Sequence, residues 1–413
     1  MSPAPALVIV GASYAGVQIA AAARELGFAE RIVIVGDELH APYQRPPLSK
    51  GFLTGKTSID RLALRGPDFY AQNDIELLLG RRAEAMDIGA RTVTLDDGAK
   101  LDYGWVALAT GARCRRLPIP GATLEGVFDL RTLDEATRIA EAANQAQRCC
   151  VIGGGFIGLE VASALCSRGV AVTVIEAQPH LLTRALPPAM SAYVESAHRR
   201  RGIDLLTGRG VRALHGSRGR VEAVEMDDGS RIDCDMVVLG IGVAPNVELA
   251  QQAGIAIDNG IVVDALGRSS APHVLAAGDV ANMALAPVPG GPTRMRLESI
   301  QAANDGARAL ASLLVGKEQS CTAVPWFWSD QFDLKFQMAG LPVHGDEAVL
   351  RGDMRTDRFS MFYLRGGALV ASHSVNRPAE HMLSRKLIAA RARFTAAQLA
   401  DESFDLKAAT VPS

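Results

Sequence analysis

The sequence predicts an α/β protein made of two nucleotide-binding strand–turn–helix units and closed by a smaller α+β domain. Three observations carry that expectation. The stretch Val8-Ile-Val-Gly-Ala-Ser-Tyr-Ala-Gly16 is an apolar run ending in a glycine turn ahead of a helix-compatible segment. Val151-Ile-Gly-Gly-Gly-Phe-Ile-Gly158 echoes it far along the chain. Beyond Pro325 the composition changes abruptly, as Trp326 and Trp328 lead into alternating, glycine-punctuated strand up to Val375.

The first unit runs from a strand near Leu7 through a helix over Ala15 to Leu26 and a strand over Arg31 to Val35. A helix that starts at such a turn presents unpaired N–H groups to a pyrophosphate. Gly11 and Gly16 fill two of the three glycine positions of a dinucleotide turn. Ser13 stands where the middle glycine lets the backbone approach phosphate, and its hydroxyl can donate to a phosphate oxygen. Asp37 follows the second strand, where an acid accepts hydrogen bonds from an adenosine ribose. Alone it would read as a solvated acid. Next, Ala41 to Lys50 is a proline-stiffened loop, neither helix nor central strand, placed to deliver Arg45 and Lys50 toward the pyrophosphate and rings of a flavin. Leu77 to Asp97 alternates and reaches a hairpin signal at Asp97-Gly98. Trp105 to Gly111 reads as a buried strand whose small-residue end, with Thr110 and Gly111, admits a ligand. Arg131 to Ala146 reads as helix.

The second unit keeps all three glycines, Gly153, Gly155 and Gly158, with Phe156 and Ile157 opening its helix. Glu176 ends its second strand, where a carboxylate chelates ribose hydroxyls and repels a 2′-phosphate, favouring NADH. Ala177, Gln178 and Pro179 offer no cation for that phosphate, and Arg184 lies too far along to be assigned one. Val221 to Ile232 is a second hairpin and Met236 to Gly242 a second buried strand. His273 to Asp279 reads as a strand ending in an acid at the carboxyl edge, where open α/β sheets bind ligands. By itself a Gly-Asp pair is more often an ordinary turn. A helix ends near Leu314, another spans Pro378 to Ala392, and a loose tail follows. Two dinucleotide sites suggest electrons passing from one bound nucleotide to the other.

Composition narrows the class. At 413 residues, two or three domains are expected. A formal net charge of −2 gives no global field toward nucleic acid or an anionic membrane. No apolar run has membrane-span length, and the early first strand leaves no space for a signal peptide, so a cytoplasmic protein is expected. Cys114, Cys149, Cys150, Cys166, Cys234 and Cys321 show no Cys-x-x-Cys or metal-ligand spacing and read as free buried thiols. Cys149 and Cys150 are expected just ahead of the second unit's strand.

With PYQRPPLSK (42–50), LATGAR (108–113), LRTLDEA (130–136), VIGGGFIGLEVA (151–162), GIGVAPN (240–246), AAGD (276–279), RLESIQ (296–301), PWFWSDQ (325–331) and VNRPAE (375–380), the chain resembles the NADH-dependent ferredoxin reductases of the putidaredoxin and rhodocoxin reductase type. The resemblance covers nearly the whole chain, and Ser13 is its visible departure. It implies a glutathione-reductase-like fold: FAD-binding residues 1–112 and 243–322 split by NAD-binding residues 113–242, then a C-terminal domain over 323–413. It places Ala15, Asp37, Lys50, Ala83, Arg131, Asp279 and Ile300 at FAD, and the run from Gly153 to Gly158 with Glu176 on the NAD side. Gly242 is counted with the cofactor contacts. Glu160 would face the nicotinamide and pair with Lys50 behind the flavin, the two forming the catalytic pair. Trp328 would lie near the flavin edge, with a buried core tryptophan the equal alternative. The implied activity is hydride transfer from NADH to tightly bound FAD, then single electrons to a 2Fe–2S ferredoxin feeding a haem-thiolate monooxygenase or ring-hydroxylating dioxygenase. No metal is expected, and the state would be a monomer or weak dimer. Arg308 and Lys335 are the candidate docking cations for an acidic ferredoxin. Two rivals are weighed. A disulfide reductase or peroxidase of the same fold needs a redox cysteine beside the flavin, and His40 to Lys50 has none. A binding flavoprotein like apoptosis-inducing factor calls for a strongly basic surface and a targeting segment, and neither is evident.

Overall fold

The computed structural model describes residues 6–285, 293–320 and 323–408. The two glycine-rich stretches each begin a parallel sheet of the same design. In the first, the strand order is Ile75–Leu79, Ile32–Gly36, Ala6–Val10, Lys100–Leu108, with Val274–Ala276 also paired to Lys100–Leu108. In the second it is Asp204–Thr207, Ala171–Glu176, Arg148–Ile152, Met236–Leu239, Val127–Asp129. Every residue of Ala6–Val10 is buried, as expected of a strand covered on both faces. In both sheets the chain leaves the first strand toward one neighbour and returns on its other side. The glycine turns therefore sit at topological switch points, the crevice where such sheets hold ligands.

Helices Tyr14–Leu26 and Ile300–Leu314 pack together on the first sheet through small side chains, Ala20, Ala23, Ala303 and Ala307 among them. Leu133–Ala142 starts at a capping box, where Thr132 and Glu135 satisfy each other's backbone N–H groups. The two sheets are joined by the antiparallel pair Ala112–Cys114 and Val243–Pro245. The last sheet is antiparallel throughout: Trp326–Gln331, Leu334–Gly340, Ala368–Val375, Arg358–Arg365, Glu347–Asp353. One of its faces carries helix Pro378–Ala389. The other shares a core with the second parallel sheet, with the Tyr193 and Phe359 rings 4.7 Å apart.

Several expectations need correction. The proline loop contains a 3₁₀ turn over Pro46–Ser49, because two prolines preset its opening dihedrals. Cys149 and Cys150 lie within strand Arg148–Ile152, not ahead of it. Of the cysteines, Cys149, Cys150 and Cys234 are buried while Cys114 and Cys166 are only half-buried. Cys321 lies outside the described residues. Within the PWFWSDQ stretch, Trp326–Gln331 is itself an edge strand of the last sheet. The helix from Leu133 ends at Ala142 and that from Pro378 at Ala389, and the tail is ordered by helix Ala396–Ala400.

Two of the three buried histidines, His198 and His373, show the fold's acid-sensitive side. Burial pushes His198, which contacts the Val194 carbonyl oxygen at 2.9 Å, down to about 4. Burial likewise pushes His373, 3.2 Å from the Tyr363 hydroxyl, down to about 3. The unfolded chain binds these protons near pH 6.5 and the folded chain does not, so their stabilising contribution is complete above that pH. It is lost as pH falls toward 4, by about 2 kcal/mol per histidine at pH 5. Urea midpoints at pH 7 and pH 5 check this, and His198→Gln is expected to flatten the slope.

Candidate functional site

The first glycine turn is dictated by close approach. Gly11 has φ +124°, and a Cβ there would lie 2.1 Å from the Ala109 carbonyl oxygen, while one at Gly16 would lie 1.9 Å from the Gly11 oxygen. Ser13, the N-cap of helix Tyr14–Leu26, has φ −131°, so a side chain costs no strain there. Its hydroxyl accepts from Arg45 Nε at 3.3 Å. Arg45 also pairs with Glu38 at 2.6 Å and donates to the Arg131 carbonyl oxygen at 2.6 Å. Burial works to lower its pKa, but the Tyr43 oxygen and the Glu38 carboxylate beside it outweigh that and hold the guanidinium above its ordinary value. Arg131 in turn pairs with Asp279 at 2.8 Å and lies against Gly111. Asp279 is not the last residue of a strand. Strand Val274–Ala276 stops short, and Asp279 belongs to a 3₁₀ turn over Gly278–Val280 whose first residue packs on Ala15. Thr110 and Asn246 exchange hydrogen bonds of 2.7 and 2.8 Å beside this cluster.

The structure thus brings Gly11, Ser13, Ala15, Gly16, Arg45, Gly111, Arg131 and Asp279 together. Asp37 is exposed at the end of its strand, Ala83 opens strand Ala83–Asp87, and Ile300 starts its helix behind the Ser299 N-cap. No side-chain hydrogen bond joins these three to the cluster. Trp328 is half-buried beside Trp326, ring centroids 5.5 Å apart. The sequence reading missed Glu38, the acid that actually grips Arg45, and Asn246. Adjacent acids at a strand end give no sequence signal for which one turns inward.

The second turn repeats the geometry. A Cβ on Gly153 would lie 2.4 Å from the Gly240 oxygen, and one on Gly158 2.2 Å from the Gly153 oxygen. Gly155 differs: its φ is −80° and the nearest atom to a Cβ is 3.9 Å away. The protein alone makes no demand for glycine at 155, so the missing side chain leaves a cradle for a dinucleotide phosphate. Glu176 Oε2 accepts from the Gly154 N–H at 2.7 Å and Oε1 from Gln178 N–H at 2.8 Å, which fixes the carboxylate's orientation. Ile157 stays 41% exposed for an apolar residue, as fits a surface that a visiting ligand covers. Phe156 packs on Phe327, and Gly242 faces Arg184.

A buried ion pair joins the loop whose Arg45 reaches Ser13 to the helix that begins at the second turn. Glu160, 4% exposed and one turn into helix Phe156–Cys166, receives Lys50 Nζ at 2.6 Å. Ser49 donates to the same carboxylate oxygen at 2.5 Å and Ser329 to the other at 2.5 Å. Ser49 and Ser329 were not foreseen, because their partner is more than a hundred positions away. Arg131 Nε is buried without a partner, a donor aimed within the first cluster that a cofactor's acceptor would satisfy. The residues present therefore fit a dinucleotide at each turn. Among the described residues no cluster of His, Cys, Asp or Glu could hold a metal, and no helix is long and apolar enough to cross a membrane.

Comparison with known proteins decides the lineage. The pyridine nucleotide-disulphide oxidoreductase profile matches residues 5–307, and that of the reductase C-terminal region matches residues 326–410. The chain belongs to this oxidoreductase family. The oxidoreductase is 43% identical to rhodocoxin reductase of Rhodococcus erythropolis over 98% of this chain and 94% of that one. Its backbone matches a ferredoxin reductase for the CYP199A2 system from Rhodopseudomonas palustris with TM-score 0.94 and 39% identity, covering 98% and 99% of the two chains. It matches the reductase of a covalent putidaredoxin reductase–putidaredoxin complex with TM-score 0.94 and 38% identity, covering 98% of each. The family name includes disulfide chemistry, yet the five described cysteines of this oxidoreductase are free and none lies in residues 40–50.

Proposed function

We infer that the chain is an FAD-dependent NADH:ferredoxin reductase, passing electrons to a 2Fe–2S ferredoxin that serves an oxygenase. The observation that supports it most is the buried Lys50–Glu160 pair, which ties the loop against the first glycine turn to the helix that follows the second, with no thiol in the loop that carries Lys50. We propose that residues 1–112 and 243–322 hold FAD, residues 113–242 hold NADH, and residues 323–413 close the site. FAD supplies the coupling of a two-electron donor to a one-electron acceptor. The chain's own residues bind, orient and screen. Gly11, Ser13, Ala15 and Gly16 present the helix terminus to the flavin nucleotide's pyrophosphate. Asp37 takes its ribose, and Ala83, Thr110, Gly111 and Ile300 line its other contacts. Arg45 stiffens the turn, while Arg131 and Asp279 bind along the chain that leads to the rings. Gly153, Gly155, Phe156, Ile157, Gly158, Glu176 and Gly242 receive NADH. Lys50 places a positive charge where negative charge grows during hydride transfer, and Glu160 holds that ammonium in place. Trp328 borders the exit path.

Arg308 already pairs with Glu25 at 3.1 Å, which leaves Lys335 the freer docking cation. A cytoplasmic site of action suits the five described free thiols. In the test, yellow purified protein is mixed with NADH and a panel of 2Fe–2S ferredoxins, following iron–sulfur bleaching. Rapid ferredoxin reduction with disulfides and peroxide untouched supports the reading; a colourless protein that cannot be reconstituted with FAD overturns it. Glu176→Ala is expected to raise KM for NADH roughly tenfold, because charge-assisted hydrogen bonds to the ribose and the Gly154 N–H both go. It should also narrow the gap to NADPH. An unchanged cofactor preference would count against the ribose assignment.

A further inference from the structure

The last sheet reaches the buried ion pair through one strand. In Trp326–Gln331, alternate side chains face alternate sides. Phe327, Ser329 and Gln331 point at helix Phe156–Cys166: the Phe327 and Phe156 rings are 4.8 Å apart, and Ser329 donates to Glu160 Oε1 at 2.5 Å. Gln331 Nε2 donates to Ser329 Oγ at 3.0 Å, and just past the strand the Phe332 N–H donates to Ser163 Oγ at 2.5 Å, one helical turn beyond Glu160. Ser329 and Gln331 are both 0% exposed, so water cannot substitute for either.

We propose that Ser329 and Gln331 are positioning residues for the Lys50–Glu160 pair, forming a directed chain from Gln331 through Ser329 to the carboxylate. The proposal rests on the reading that this pair faces the reacting rings. Direction matters because a hydroxyl has one proton. With the Gln331 amide donating to its oxygen, Ser329 is free to spend that proton on Glu160. The Gln331 Oε1 has no partner, so the amide is oriented by what it gives, not by what it receives. Glu160 then receives three donors from two separate stretches of chain: Ser49 and Lys50 from the proline loop, and Ser329 from the strand Trp326–Gln331, where Gln331 orients the Ser329 hydroxyl from behind. Three donors on one carboxylate compensate its charge, which leaves the Lys50 ammonium more of its field to offer the flavin. Remove the Ser329 donor, and the less compensated carboxylate draws on Lys50 more strongly. Reduced flavin, which carries negative charge, is then less favoured.

The test uses flavin-loaded protein carrying Ser329→Ala, Ser329→Thr, Gln331→Glu or, as the reference for the pair itself, Glu160→Gln. Flavin midpoint potential, single-turnover reduction by NADH and the Kd for NADH are measured on each. Ser329→Ala is expected to lower the potential and slow reduction roughly three- to tenfold, the scale of one buried hydrogen bond, with Kd within about twofold. Ser329→Thr, which keeps the hydroxyl, should restore both. Gln331→Glu puts an acceptor where the amide donated, so Ser329 turns its proton away from Glu160 and the Ser329→Ala behaviour returns. If Glu160→Gln moves potential and rate while Ser329→Ala and Gln331→Glu move neither, the strand merely packs and the proposal is overturned. If Glu160→Gln also moves neither, the underlying reading of the ion pair falls, and the relay with it.

Discussion

Lys50→Met is expected to slow reduction of the flavin by NADH about a hundredfold, in line with the loss of one preorganised charge donor at a water-excluded site. The same change should destabilise the protein by about 3–5 kcal/mol, because Glu160 is left buried with only hydroxyl donors. The two effects have different causes and can be separated. With Glu160→Leu added, no charge remains buried and most of the stability is expected to return. The rate is not, since the cation is still missing. Stopped-flow reduction of the flavin gives the first quantity and urea unfolding the second. A Lys50→Met protein that is reduced within threefold of the parent rate would remove Lys50 from the chemistry. A double variant as unstable as the single one would mean that the ammonium stem, not the ion pair, holds the loop.

What the sequence disclosed follows from the range of the interactions involved. The glycine turns were legible because their demands are local: Gly16 must clear the Gly11 carbonyl, and Gly158 the Gly153 carbonyl, each within one turn of chain. The end of strand Ala171–Glu176 and the hairpin at Asp228-Gly229 were legible for the same reason. Boundaries were less so. Asp279 was expected to end a strand, yet Gly278 takes φ +79° and turns the chain into a 3₁₀ segment, a bend fixed by packing on Ala15 rather than by neighbouring residues. The tail after Ala392 carries the Thr395–Gln398 capping box of a short helix, a signal that was present and unread. The pairing of Lys50 with Glu160 came from resemblance, since nothing at either position announces the other. Ser329 and Gln331 stand in a motif that had been noticed for its tryptophans. Their role depends on which face of an edge strand meets which helix, and that is settled only by tertiary packing.

The sharpest separation of fold from function lies within a single turn. Gly158→Ala would set a Cβ 2.2 Å from the Gly153 carbonyl oxygen and 3.4 Å from Val151 Cγ1. The first of these is backbone and cannot swing aside, so helix Phe156–Cys166 must lift from strand Arg148–Ile152, at a cost of about 3 kcal/mol. Gly155→Ala meets nothing nearer than 3.9 Å and sits at an N-cap with φ −80°. There alanine costs within about 1 kcal/mol of the glycine. Its methyl group nonetheless fills the space through which a phosphate would approach the helix terminus, so KM for NADH is expected to rise at least about tenfold. Thermal unfolding and NADH titration on the two variants should therefore give opposite results: one protein unstable, the other stable but poorly served by its donor. Equal losses of stability would mean the cradle at Gly155 is a packing feature. A stable Gly155→Ala protein with unchanged KM would mean that NADH approaches elsewhere, and the second glycine turn would lose its assignment.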